Sequence, residues 1–385
     1  MTSNPTITQH YVADARRLAP RIRGYAARID QERRLPIELV DEMRAAGFFH
    51  LVLPRDLGGR EADAVTAARV VEEVSRADGS AGWCLMIAAQ NAAFAGFLDP
   101  NEARAIWKDD AIVCGVARPI GRAVVTEGGY RVSGRWPFAS GSSHAEWFAS
   151  ECMVYEGEAP RRDAQGNEVS RMCFVPRAEV NIHDTWYTLG LRGTASNDFS
   201  VENALVPAGR GFQVLVDPPR HPWALYRALP LLFINHGAQS LGVARAAIDS
   251  AIATASEKKG WGNRPLTELP RIQAAIAEAT ALVESAGRYL YGTAGELWDL
   301  AVAGNDDAGL RARVRLATSH AAKASLQAVD LLHGILATSS IFTKSPLERY
   351  FRDIHTASAH VMVGPMTYEA SGRVLLGRDP EFPFF

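Results

Sequence analysis

The chain is poor in cysteine. Its 385 residues hold only four, Cys84, Cys114, Cys152 and Cys173. They lie far apart and form no CxxC pair. That excludes an obvious zinc site and suits a reducing cytoplasm rather than an oxidising compartment. Charge of one sign is lacking as well. The formal net charge is −2, with no long basic run, so non-specific nucleic-acid binding has little electrostatic support. The opening "MTSNPTITQHYVADARR" shows no basic start followed by an apolar run, and a secretory leader is not expected. Low-complexity linkers and short-period repeats are missing too. The most apolar stretch, "AGWCLMIAAQNAAFAGFL" over residues 81–98, has Gln90 and Asn91 at its middle and is dominated by small residues. It reads as a buried helix and not as a membrane span.

What is present is the composition of a globular protein, 47% hydrophobic and 22% charged, long enough for two or three domains. Three textures follow one another. Residues 1–113 are helical in period, with Val12, Leu18, Ile22 and Ile29 near one face. Pro36 opens "IELVDEMRAAG", which Gly47 closes, and Ser80 is expected to cap the apolar helix. Residues 114–222 alternate in the strand manner, with Gly128-Gly129 as a hairpin turn and six to eight short strands. A small barrel or sandwich is expected there. Residues 223–385 return to helix in four long runs, the last being "SPLERYFRDIHTASAHVMVGPMTYEASGRVLL". Short links between long helices predict an antiparallel four-helix bundle. The fold class is therefore α+β and mostly helical, a β-domain set between two helical regions. The apolar end "FPFF" suggests an oligomer contact.

Four local sequences stand out: "LPRDLGG", "RWPFASGSSHAEW", "GLRGTASNDFSVENALVP" and "SPLERYFRDIHTASAH". Each alone has a plain structural reading. A Gly-Ser turn between aromatics can simply satisfy backbone groups beside a sheet core. A histidine on a bundle helix can be a satisfied core residue. In this order, over nearly the whole chain, they resemble the acyl-CoA dehydrogenase superfamily.

Within it, the resemblance separates two branches. The dehydrogenases carry a Trp-Ile-Thr segment whose Thr contacts flavin N5, and Phe138, Ala139 and Ser140 fall on those positions. Many also carry a catalytic glutamate in a Tyr-Glu-Gly motif after an Arg-Asp pair. Aligned on Arg352-Asp353, that place is held by Val361, and Glu369 comes eight residues too late. A carboxylate is the base for an acyl thioester's α-proton, and valine cannot serve. The combination of Trp136, Phe138, Ser140, Gly141, His144, Ala145 and Trp147 with Arg352, Asp353, Thr356 and His360 is similar to the oxygenase components of two-component flavin monooxygenases.

That resemblance implies reduced FMN or FAD as co-substrate, delivered by a separate NAD(P)H-dependent flavin reductase, and O2. It implies a flavin hydroperoxide that hydroxylates a small aromatic, expected to be phenolic, and a cytoplasmic homotetramer binding neither nucleic acid nor membrane. Ser140 is the expected partner of flavin N5. Gly141 is expected to let backbone approach the ring, and Trp136 and Phe138 to cover it or wall the cavity. Arg192, Thr194 and Ser196 suit a flavin phosphate or pyrimidine edge. His360 is the expected catalytic base, with an ordinary pKa near 6.5. Gln90, Asn91 and His144 are expected to line the substrate pocket with it. His355, five residues earlier, does not share a helix face with His360. The first bundle helix ends in "SEKKGWGNRPL" and lacks the Arg-x-x-Phe segment that helps the dehydrogenases hold FAD, which fits a diffusible flavin. Two alternatives stay open: an acyl-CoA dehydrogenase or oxidase with bound FAD, and an N- or S-oxygenase of the same fold.

Overall fold

The computed structural model describes residues 5–382 and Phe385; residues 1–4 and two positions of the "FPFF" end, 383 and 384, lie outside the described residues. The first region comprises α1 (Pro5–Glu32), α2 (Ile37–Ala45), α3 (Ala64–Ala77), α4 (Gly79–Ala93) and α5 (Pro100–Ile106). Pro36 leads into α2, and Gly47 turns the chain away at φ +72°. Asp63 caps α3 by accepting the Thr66 N–H. The cap of α4 is Asp78 and not Ser80. Asp78 has extended backbone, and its carboxylate accepts the N–H groups of Ser80 and Ala81 at 3.0 Å. Ser80 already sits in the first turn, where its hydroxyl cannot reach the open N–H groups. The apolar run also breaks at Phe94 into a 3₁₀ turn, Phe94–Phe97. Among the described residues, no helix is long and apolar enough to cross a membrane.

The middle region is a single sheet. Its strands are β1 (Val113–Thr126), β2 (Gly129–Ala139), β3 (Trp147–Glu156), β4 (Ala159–Pro160), β5 (Ser170–Pro176), β6 (Val180–His183), β7 (Asn197–Pro207) and β8 (Gly211–Phe212). The order is β6-β7-β2-β1-β3-β5-β8, with β4 paired to β3. The expected barrel or sandwich is thus corrected to an open sheet. Its outer strands, β6 and β8, are four and two residues long, too short to pair across and close it. The β1–β2 hairpin turns at Gly128, φ +77°. Trp136, Phe148 and Phe199 fill the core on one face.

The last region holds α6 (Ile234–Glu257), α7 (Pro270–Val302), α8 (Ala308–Leu336), α9 (Pro346–Ser358) and α10 (Pro365–Leu375). α6 packs on α3 as well as on α7, α8 and α9. Ile22, Val71, Leu241, Leu290 and Val314 therefore belong to one contiguous core shared by both helical regions. The final run, expected as one helix, is two. It stops at Ser358 and resumes at Pro365. Gly364-Pro365 explains the break, since proline lacks the N–H a helix interior needs and disfavours helical backbone before it. His360 consequently lies in the link, with φ −71° and ψ 135°, and helical spacing does not relate it to His355.

Candidate functional site

Two turns meet between the sheet and the helices. Leaving β2, the chain passes Phe138 at φ +67° and Gly141 at φ +84°. Opposite lies a 3₁₀ turn, Arg192–Thr194, flanked by Leu191 (φ +48°) and Ala195 (φ +44°). The Gly141 N–H donates to Thr194 O at 2.8 Å, and Ser142 Oγ donates to Ala195 O at 2.6 Å. Three non-glycine residues in left-handed backbone cost about 1–3 kcal/mol each, and such strain gathers where function needs it. α9 clamps the second turn. Asp353 Oδ1 accepts the Leu191 N–H at 2.6 Å, and Thr356 Oγ1 accepts the Gly190 N–H at 3.0 Å. A Cβ on Gly190 would stand 2.0 Å from Arg352 O, so only glycine lets this backbone lie on the helix.

A directed chain of hydroxyls runs through the junction. Trp83 Nε1–H, on α4, donates to Ser140 Oγ at 3.0 Å. Ser140 Oγ is 2.7 Å from Ser196 Oγ, which is 2.6 Å from Thr194 Oγ1. Thr194 Oγ1 donates to Leu191 O at 2.9 Å. Each hydroxyl has one hydrogen. With that of Thr194 spent on Leu191, Ser196 must donate to Thr194, and Ser140 to Ser196. Ser140 therefore faces any further partner as an acceptor with one lone pair to offer.

Trp83 links this chain to a pair of histidines. The His236 and His360 rings stack at 4.6 Å, and Trp83 meets their edges at 5.6 and 5.5 Å. His360 Nδ1 accepts the Met362 N–H at 3.3 Å, so the proton of the neutral ring rests on Nε2. Burial, helped by the Arg315 charge, pushes His360 down to about 4. The ordinary value near 6.5 expected from the sequence does not survive this environment. Burial and then the charge of His360 drive His236 well below its usual range too. Gln90 Nε2 donates to Leu232 O at 2.9 Å and sits 3.5 Å from His236 Nδ1. Behind the pair, Arg315 Nη2 donates to Met362 O at 3.2 Å.

The other expected residues scatter. Trp136 is fully buried, stacks on Phe199 at 5.1 Å, and donates its Nε1–H to Glu151 O; it belongs to the sheet core and offers no free ring face. Phe138 is the reverse, 63% exposed with its ring edge-on to Trp186. A Cβ at Gly141 would meet the His144 ring at 3.1 Å. That glycine thus makes room for His144 and for its own turn. His144 lies on the far side of the turn, 6.1 Å from Phe49, and burial with the nearby Arg44 charge lowers it to about 4. It does not join the histidine pair. Asn91 donates back to Ile87 O on its own helix. Arg192 points to α1, with Nε 3.8 Å from Asp30. Val361 is exposed, as is Glu369 on α10. His355 pairs with Asp330 at 2.8 Å.

Three members of the cluster, Trp83, His236 and Arg315, were not singled out from the sequence. The signal was faint: a histidine inside the apolar run "LPLLFINHGAQSLG" and an indole inside "AGWCLMIAAQ", each of which must find a polar partner once buried.

Comparison with known proteins places this geometry. Residues 9–99 match the family "Acyl-CoA dehydrogenase, N-terminal domain", and residues 234–365 match "Acyl-CoA dehydrogenase, C-terminal domain". The chain is 28% identical to the indole-3-acetate monooxygenase of Pseudomonas putida, over 94% of this chain and 92% of that protein. It is equally 28% identical to the oxygenase component of the FADH(2)-dependent resorcinol hydroxylase of Rhizobium sp., over 94% of this chain and 93% of that protein. The crystal structure of the HsaA monooxygenase of M. tuberculosis superposes with a TM-score of 0.88 at 26% identity, covering 98% of this chain and all of that one (100%). The chain belongs to the acyl-CoA dehydrogenase superfamily, on its branch of flavin-dependent monooxygenase oxygenase components.

Proposed function

We propose that this chain receives reduced FMN or FAD from a separate NAD(P)H-dependent reductase and uses it with O2 to hydroxylate a small aromatic substrate. The observation that carries the reading is the direction of the hydroxyl chain. Reduced flavin bears a hydrogen on N5, and Ser140 presents an acceptor with its own hydrogen already committed to Ser196. A donor-type serine would suit oxidised flavin instead. When bound, reduced flavin supplies the two electrons that take one atom of O2 to water while the other enters the substrate.

The residues divide the work. Ser140 holds the N5 edge, Ser196 and Thr194 fix its orientation, and exposed Phe138 offers a ring face. Arg192, partly exposed on the same turn, is read as the cation for the flavin phosphate or pyrimidine edge. Trp83, His236, His360 and Gln90 wall the substrate side and keep water out. His360 acts as a neutral donor through Nε2–H, orienting the substrate's oxygen. Full transfer of a phenol proton, pKa about 10, to a ring at about 4 would cost about 8 kcal/mol, so it is not assigned the role of free base. A dehydrogenase would need a carboxylate near the reacting carbon, and the two candidate positions, Val361 and Glu369, are exposed. The working form is read as a cytoplasmic homotetramer, which would cover the exposed Ile341, Phe342, Leu375 and Leu376.

Mixing the protein with anaerobically reduced FMN or FAD and then oxygen should give a transient near-ultraviolet absorbance distinct from oxidised flavin. Product made from an aromatic substrate under 18O2 should carry the label. A protein that purifies yellow and is bleached by an acyl-CoA without reductase would overturn the reading.

A further inference from the structure

Arg315 on α8 is a fully buried guanidinium with no counter-charge among the described residues. Its Nη2 donates to Met362 O, while Nε and Nη1 have no partner among the described residues. Burial alone pulls it down to about 10, with no carboxylate acting to raise it. It thus stays charged at neutral pH. A buried cation with two unbonded nitrogens is strongly unfavourable, and the Phe233 and Phe382 rings at 5.1 and 5.8 Å offset only part of that cost.

Its position says what it faces. The guanidinium carbon lies 5.1 Å from the Phe233 ring centre. Phe233 is tilted against His236 at 6.3 Å, and Met362, which Arg315 holds by its carbonyl, in turn donates to His360. From Ser140, the cluster runs through Trp83 to the histidine pair and ends at this cation. The open hydrogens also have a shape. Whichever Nη2 hydrogen goes to Met362, the other shares an edge with Nε–H or Nη1–H. One two-pronged edge therefore stays free, the arrangement that matches a carboxylate.

We propose that Arg315 is the counter-ion for a carboxylate carried by the aromatic substrate, which makes the substrates aryl carboxylates; this rests on the monooxygenase reading above. The aromatic part lies against Trp83 and the histidines, and the acid reaches Arg315 beside Met362.

Equilibrium binding tests it on the wild-type protein without flavin. Benzoate, phenylacetate and indole-3-acetate are each titrated against their neutral amides, following tryptophan fluorescence and thermal shift. At least one acid is expected to bind thirtyfold or more tighter than its amide. Arg315→Met should abolish that preference, Arg315→Lys should keep part of it, and ligand-free Arg315→Met should melt no lower than wild type. Equal binding of acids and amides, or no binding of either, overturns the proposal. So does an Arg315→Met variant that loses FMN but not riboflavin affinity, since the cation would then serve the flavin phosphate. Should Arg315→Met not fold, the wild-type comparison still decides. The oxygen-dependent absorbance with reduced flavin is read separately: its presence without acid preference refutes only this inference, and its absence refutes the monooxygenase reading itself.

Discussion

Ser140→Ala tests the hydroxyl chain most directly. The change removes one oxygen and two hydrogen bonds, from Trp83 Nε1–H at 3.0 Å and to Ser196 at 2.7 Å. Ser196 still donates to Thr194 and loses only a donor to one lone pair. Trp83 is buried, and its Nε1–H is left without an acceptor. An unsatisfied buried donor costs about 1–3 kcal/mol, so chemical denaturation should show a loss of about 2 kcal/mol. The functional effect is separate. The flavin N5–H loses its acceptor, a term of about 1 kcal/mol or more, and the near-ultraviolet transient should decay roughly tenfold faster or not form. Ser196→Ala makes the comparison sharp. It leaves the Ser140 oxygen in place but frees its hydrogen, so Ser140 can turn donor. That variant should shorten the transient while stability falls less than for Ser140→Ala. If Ser140→Ala leaves both stability and the transient unchanged, the acceptor assignment is wrong.

Phe138→Gly relieves left-handed backbone at φ +67° and should stabilise the protein by about 1 kcal/mol, while reduced-flavin affinity, measured by anaerobic titration, falls with the lost ring. His360 sits at about 4, so the pH–rate profile should show no inflection from it between pH 5.5 and 8; a limb near 6.5 that vanishes in His360→Gln would contradict this. Asp353, raised to about 7 by burial and then by the Asp78 charge, keeps in the folded state a proton that the unfolded chain releases from about pH 4. Its contribution to stability therefore falls as pH rises between about 4 and 7. Asp353→Asn, which preserves an acceptor for Leu191 N–H, should flatten that slope in denaturant midpoints measured across the window.

The order of helices, sheet and helices was legible because it is written locally. Apolar period gives α3, Gly128 gives the β1–β2 hairpin, and Pro36 with Gly47 bounds α2. The break in the last helix was missed: Gly364-Pro365 carries the signal, but the surrounding apolar period pointed to a continuous helix. The open sheet was not legible, because closure depends on whether β6 and β8 meet, and strand propensity carries no information about that.

For the site, sequence by itself determined the chemistry available: hydroxyls at 140, 194 and 196, a histidine at 360, and no carboxylate at 361. Only the tertiary structure decided how they act. Trp83 lies 57 residues from Ser140 and becomes its donor, which turns that serine into an acceptor. Trp136 proved to be sheet core, packed against Gly121 of β1 and Gly134 of β2. His236 and Arg315 join His360 from separate helices and reset its proton affinity by burial and charge. Hydrogen-bond direction and desolvation are properties of what surrounds a group in space, and a local pattern of residues does not specify them.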